Sequence, residues 1–192
     1  MRRRMIPFFV LGLLAGFESP LAAQVDVACK PQRPTANRSS AYDSTAIVVG
    51  GKRAQICYGR PAARGRTMIG GTAVPYGKLW RTGANEPTTL HIPFAATIAG
   101  VKVAPGSYSI YTVPGEKEWQ VIVNRSTSQW GHEGRYTPEV KAQEVGQGKV
   151  ASTKLKDHVE VFTIKSAQAQ NGADLILEWE HTRVAIPIRA AK

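Results

Sequence analysis

From Gly59 to Pro87 the chain gathers side chains that can do chemistry: Arg60, Arg64, Arg66, Tyr76, Trp80, Arg81, Asn85 and Glu86, spaced by glycines. Guanidinium groups take carboxylate, phosphate or sulfate by paired hydrogen bonds, and aromatic faces stack on guanidinium or pack on sugar rings. A second aromatic ring, Trp130, stands between Gln129 and Gly131-His132 in a segment with no apolar period. A loop tryptophan can stack on a ligand or cover the end of a core. Together these residues describe a cationic, aromatic binding surface for an anionic or glycan ligand, or for a protein partner. The opposing expectation is internal: Arg81 pairs with Glu86, Trp80 plugs one end of the core, and the other arginines are solvated.

A catalytic use of the same loop rests on Glu86, its only carboxylate. Buried, it would act as a general acid or base, because desolvation raises a carboxyl pKa toward neutrality. With Arg81, Asn85 and His132 it would make a small hydrolase or lyase site. Pairing with Arg81 would keep it ionised, and this is the favoured expectation. The four histidines, His91, His132, His158 and His181, form no ligand cluster, so no metal site is expected. His91 alternates with Leu90, Ile92 and Phe94 and falls on the face away from them. There is no Gly-x-Ser-x-Gly elbow, since Gly106-Ser107-Tyr108 opens a strand, and no phosphate loop or dinucleotide fingerprint. No cofactor is expected, and the balance leans away from an enzyme.

The elements that would position these residues are short strands. Thr45–Val49 and Lys52–Tyr58 flank Gly50-Gly51, a hairpin signal because glycine accepts the positive φ of tight turns. Runs at 88–98, 108–113, 118–124, 159–164, 174–180 and 183–188 follow, with Pro105-Gly106 and Pro114-Gly115 as turns. About eight strands at this spacing predict an all-β, mainly antiparallel domain over 45–190, a β-sandwich, with a closed barrel as the alternative. One short helix is expected around Pro138–Glu144. Residues 24–44, rich in Pro, Ser, Asn and Arg, read as a flexible tail.

The long loop carries a resemblance. Arg60-Pro61, Arg64-Gly65-Arg66, Val74-Pro75-Tyr76-Gly77-Lys78 and Trp80 to Glu86 resemble the family of exported bacterial proteins called domain of unknown function 2911. The likeness continues through Pro105 to Ser109, Pro114 to Trp119, Asn124 and Gln129-Trp130-Gly131. It runs from about Thr45 to Ile188, with Pro87 as a departure where the family has alanine. It implies a secreted or periplasmic β-rich domain and carries no activity.

The start of the chain points the same way. Arg2-Arg3-Arg4 precedes an apolar run from Ile6 to Phe17, and Leu21-Ala22-Ala23 suits a signal peptidase, so residues 1–23 read as a signal peptide cut after Ala23. The run is short for a bilayer span, so no transmembrane span is expected in the mature form. The chain carries +11 formally; residues 1–23 hold three of 25 basic and one of 14 acidic side chains, leaving +9 on the rest. That surplus favours anionic partners, and export argues against nucleic acid among them. Cys29 and Cys57 would be bonded in an oxidising compartment, with two free thiols as the alternative. The leading expectation is a non-enzymatic envelope binding protein; the rivals are the Glu86 hydrolase or lyase and a purely structural domain.

Overall fold

In the computed structural model the described residues are 25–191. The expected signal peptide lies outside them. Nine strands form: β1 (Ala41–Val49), β2 (Lys52–Arg60), β3 (Thr88–Ile92), β4 (Ala96–Ile98), β5 (Val101–Val103), β6 (Gly106–Val113), β7 (Glu118–Asn124), β8 (Glu144–Ala169) and β9 (Gly172–Ala190). Every strand pairing is antiparallel. The strand order is β1-β2-β3-β6-β7-β8-β9-β4-β5, ending on β1 and β5 without closure. The fold is therefore an open sandwich and not the alternative barrel.

One strand belongs to both layers. β8 pairs β7 through Glu144–Ala151, then pairs β9 from Ser152 to Ala169. Its middle also leaves β9: Ala62 bridges Val161, Ala63 N–H donates to the Glu160 carbonyl, and Phe162 N–H donates to the Pro61 carbonyl. The chain after β2 is thus stitched into the second sheet. Between the layers Trp80, Trp119, Phe162 and Trp179 pack together, with Trp80 stacked on Trp179 at a centroid distance of 5.9 Å. Trp80 is 3% exposed and its indole N–H donates to the Gly83 carbonyl. Trp80, named above as a residue of the binding surface, is thus packed in the core, as in the opposing internal expectation.

Several expectations shift by identifiable causes. β1 begins at Ala41, four residues early, because Tyr42 and Asp43 continue the ladder opposite Gly59 and Tyr58. The expected run 88–98 splits at Pro93, which has no N–H to donate, and β4 crosses to pair with β9. The expected helix is a single turn, Pro138–Lys141, started by Thr137, whose hydroxyl accepts from Val140 N–H. Residues 144–158 carried no strand signal because that half of β8 is largely exposed and polar.

β2 is buried on both faces from Ala54 to Gly59. Ile56 and Tyr58 face the core, while Cys57 on the opposite face is bonded to Cys29. The segment before β1 therefore lies over the outer face of the first sheet. Among the described residues no helix is long and apolar enough to cross a membrane.

Candidate functional site

The segment 25–40 acts as a strap that ties the long loop shut. The Cys29–Cys57 disulfide anchors its start. Further along, Gln32 N–H donates to Glu86 Oε1 at 2.9 Å, and its side-chain amide donates to the carbonyls of Thr127 and Gln129. Arg38 closes the arrangement with Nη1 on Glu86 Oε2 at 2.6 Å and Nη2 on Oε1 at 2.9 Å. Both side chains are deeply buried, at 9% and 5% exposure. Burial, then the nearby Glu86 charge, pushes the adjacent Tyr42 phenol up to about 12. Asn85, in the left-handed region at φ 67°, donates to the Ser40 carbonyl, and Arg64 reaches the Ser39 carbonyl.

The expected Arg81–Glu86 pair does not form. Arg81 Nη1 donates instead to both oxygens of Glu133, at 2.9 and 3.0 Å, and its backbone N–H joins them at 3.3 Å. Close packing explains the exchange. Gly131 presses on the 81–86 loop so tightly that a Cβ there would meet the Asn85 carbonyl oxygen at 2.3 Å and Arg81 Cδ at 2.6 Å. His132 is exposed, and its Nδ1 accepts from Gly134 N–H to start the 3-10 turn Glu133–Arg135. No hydrogen bond joins His132 to Glu86 among the described residues. The acid–base pair conceived from the sequence is not assembled: one member is clamped in an ion pair and the other caps a turn.

The remaining loop arginines are also committed internally. Arg60 bonds Asp43 at 3.0 Å, the Phe162 carbonyl and the Thr163 hydroxyl. Arg66 folds back onto the carbonyls of Ala62 and Ala63. Tyr76 differs, standing 42% exposed on the surface.

Among the described residues the guanidinium groups of Arg33, Arg125 and Arg135 remain open outside the loop, and two of them, Arg33 and Arg135, meet at one cleft. Arg33 of the strap lies over the Trp130 ring, 4.0 Å from its centroid. Together with Arg135, Gln129, Thr137 and Val140 they line a cleft of about 370 Å³. Among the described residues neither Arg33 nor Arg135 has a side-chain hydrogen bond or a carboxylate partner. The floor is stiff: Gln129 donates to Tyr111 Oη and the Ser126 carbonyl, and accepts from the Ser126 hydroxyl. Tyr111 and Tyr136 pack edge to face beneath it at 4.7 Å.

Of the residues singled out in the sequence, Trp130 thus keeps an accessible cationic setting. Arg33, Arg38, Gln32, Glu133 and Arg135 were not singled out. The signals for the strap were Cys29, expected to bond Cys57, and the arginine content of 24–44, which reads equally well as a solvated tail.

A smaller cleft of about 250 Å³ lies between the strap and the sheet, lined by Asp26, Lys30, Glu86, His91 and Ser107 among others. His91 Nδ1 and Ser107 Oγ are 2.7 Å apart, as direct cross-strand partners. Burial holds His91 below the ordinary imidazole range, and Lys30 adds to this against the pull of Asp26. Among the described residues no group of three or more His, Cys, Asp or Glu could hold a metal ion.

No curated protein and no solved structure matches the chain. A family model does match, over residues 40–188, from the start of β1 to Ile188 near the end of β9, with the whole clamped loop between. The chain belongs to the family described as protein of unknown function (DUF2911).

Proposed function

We propose that this is an exported, non-enzymatic envelope protein that binds an anionic ligand in the cleft around Trp130. The observation that carries the reading is the pair of uncommitted guanidinium groups, Arg33 and Arg135, set about one indole ring. The arginines of the long loop, by contrast, are spent on carbonyls and side chains of the chain itself. A carboxylate, phosphate or sulfate would find two forks of donors there, and the apolar body carrying it would find the tryptophan face. Export fits the same picture, through the sequence of residues 1–23 and the Cys29–Cys57 bond.

The test compares wild type with an Arg33→Ala/Arg135→Ala double variant, using isolated envelope glycans and acidic phospholipid vesicles and following tryptophan fluorescence. Binding is expected to weaken at least tenfold in the double variant and to be unchanged in Arg66→Ala. Equal binding by the double variant and wild type would remove the cleft from consideration. The hydrolase or lyase alternative gains no support from the geometry, because both Glu86 oxygens are already occupied.

A further inference from the structure

The longest hairpin carries a distortion that a plain sandwich does not need. Lys154 on β8 pairs with Thr182 on β9, but the next pairing is Val159 with Glu180. Four residues, Leu155–His158, therefore stand opposite His181 alone. Glu180 beside it has φ 51°, a left-handed conformation that costs a residue with a Cβ. The long loop holds this strain in place: Met68 N–H donates to both Glu180 oxygens, at 3.0 and 3.1 Å, and Ile69 N–H to one at 2.8 Å. Bulges and backbone strain of this kind re-aim side chains and gather at functional sites.

What the distortion re-aims is His181. Its Nδ1 lies 3.3 Å from the Leu155 carbonyl, and its ring meets that of His158 at 5.4 Å. Two clefts, of about 530 and 560 Å³, share His181 and Lys154. They adjoin at these two side chains, in an open groove along the hairpin. At its other end stands Tyr76, whose ring rests on Gly70, where a Cβ would come within 2.6 Å of it. The groove thus has a fixed, exposed aromatic face.

We infer that this groove binds an oligosaccharide, with the Tyr76 ring as its stacking platform. The lining differs from the cationic Trp130 cleft. Hydroxyls of Thr153 and Thr182, the Lys117, Lys154 and Lys156 ammonium groups and the Glu116 carboxylate offer donors and acceptors, and with the Glu180 charge beside them leave a surplus of one positive charge. Sugar hydroxyls need both kinds of partner, and the C–H face of a pyranose packs on an aromatic ring. A groove running past His181 on both sides suits a chain of several residues. The Glu180 carboxylate, spent on Met68 and Ile69, is a positioning group and not a ligand contact.

The probes are soluble hexasaccharides, a β-1,4-linked N-acetylglucosamine hexamer and maltohexaose, titrated into the purified protein and followed by amide chemical shifts. At least one is expected to bind, with shifts at Tyr76, Thr153, His181 and Thr182. Tyr76→Ala should weaken it at least tenfold while Tyr76→Phe retains it, and the Arg33→Ala/Arg135→Ala variant should bind it as wild type does. That last variant separates the failure of this groove from the failure of the Trp130 cleft. The inference is overturned if neither hexasaccharide binds, if the shifts fall outside the groove, or if a folded Tyr76→Ala protein binds as wild type does.

Discussion

Glu86 is the residue on which the loop closes, and its partner decides what the loop can do. A buried carboxylate with a bidentate guanidinium is fixed as an anion. Removing one member of such a pair leaves the other charge buried and unmatched, at a cost of about 3–5 kcal/mol. Arg38→Ala is expected to lose stability in that range by urea unfolding. Arg81→Ala should lose about 1 kcal/mol, since the Arg81–Glu133 pair is exposed at 24% and 33%. The reverse ranking would mean that the clamp is not the strap. The same pair bears on Tyr42. Its phenol, raised from 10.0 to about 12 in the fold, stabilises the folded state fully below pH 10 and loses that contribution as pH rises toward 12. Sequence proximity suggested Arg81 as the partner of Glu86; the true partner lies 48 residues away. Local spacing holds no information about such a contact. The carboxylate's need for a buried cation was legible, and the cation's identity was not.

At the scale of elements, the strap is the part that composition misrepresents. It has no apolar period because it packs by hydrogen bonds, a disulfide and one cation–π contact rather than by a hydrophobic stripe. Cys29 and Cys57 close a loop of sequence separation 28, and removing the bond by Cys29→Ser/Cys57→Ser should cost on the order of 3 kcal/mol. The consequence is local as well as global. Amide exchange in residues 25–40 should rise first, and anion binding at Trp130 should weaken because Arg33 is held there by the strap. Unchanged exchange in the double variant would show that Arg38 and Gln32 suffice to hold it. Other elements were plain in the sequence: the Gly50-Gly51 hairpin, the alternating β3 and β9, and the turns at Pro105 and Pro114. The hydrophobic alternation that marked them exists because each buries one face. β8 was half invisible, since its first half is exposed and its register shift between Val159 and Thr163 goes with pairing to Pro61–Ala63, far away in the chain.

For the molecule as a whole, acid should be the destabilising direction. Two groups lead to this, the buried Glu178 and the half-buried His91. Glu178 is pushed up by burial, but Lys165 at 2.7 Å and Arg183 at 2.6 Å outweigh that and hold it below its usual 4.5. His91 is held below 6.5, by burial first. In both, the folded pKa lies under the unfolded one, so the unfolded chain binds protons more readily. The contribution of His91 is complete above pH 6.5 and falls as pH drops through its folded value; that of Glu178 is complete above 4.5 and falls below it. The melting temperature should therefore decline in two stages as pH is lowered from 8 to 3, and the growing positive charge steepens the second. His91→Gln should flatten only the first stage and Glu178→Gln only the second. The strap enters here too, because it covers the cleft in which His91 sits. Cys29→Ser/Cys57→Ser should let water reach that imidazole, bring its pKa back toward 6.5 in an NMR titration, and shrink the first stage. If His91 titrates the same with and without the disulfide, the strap is not what buries it.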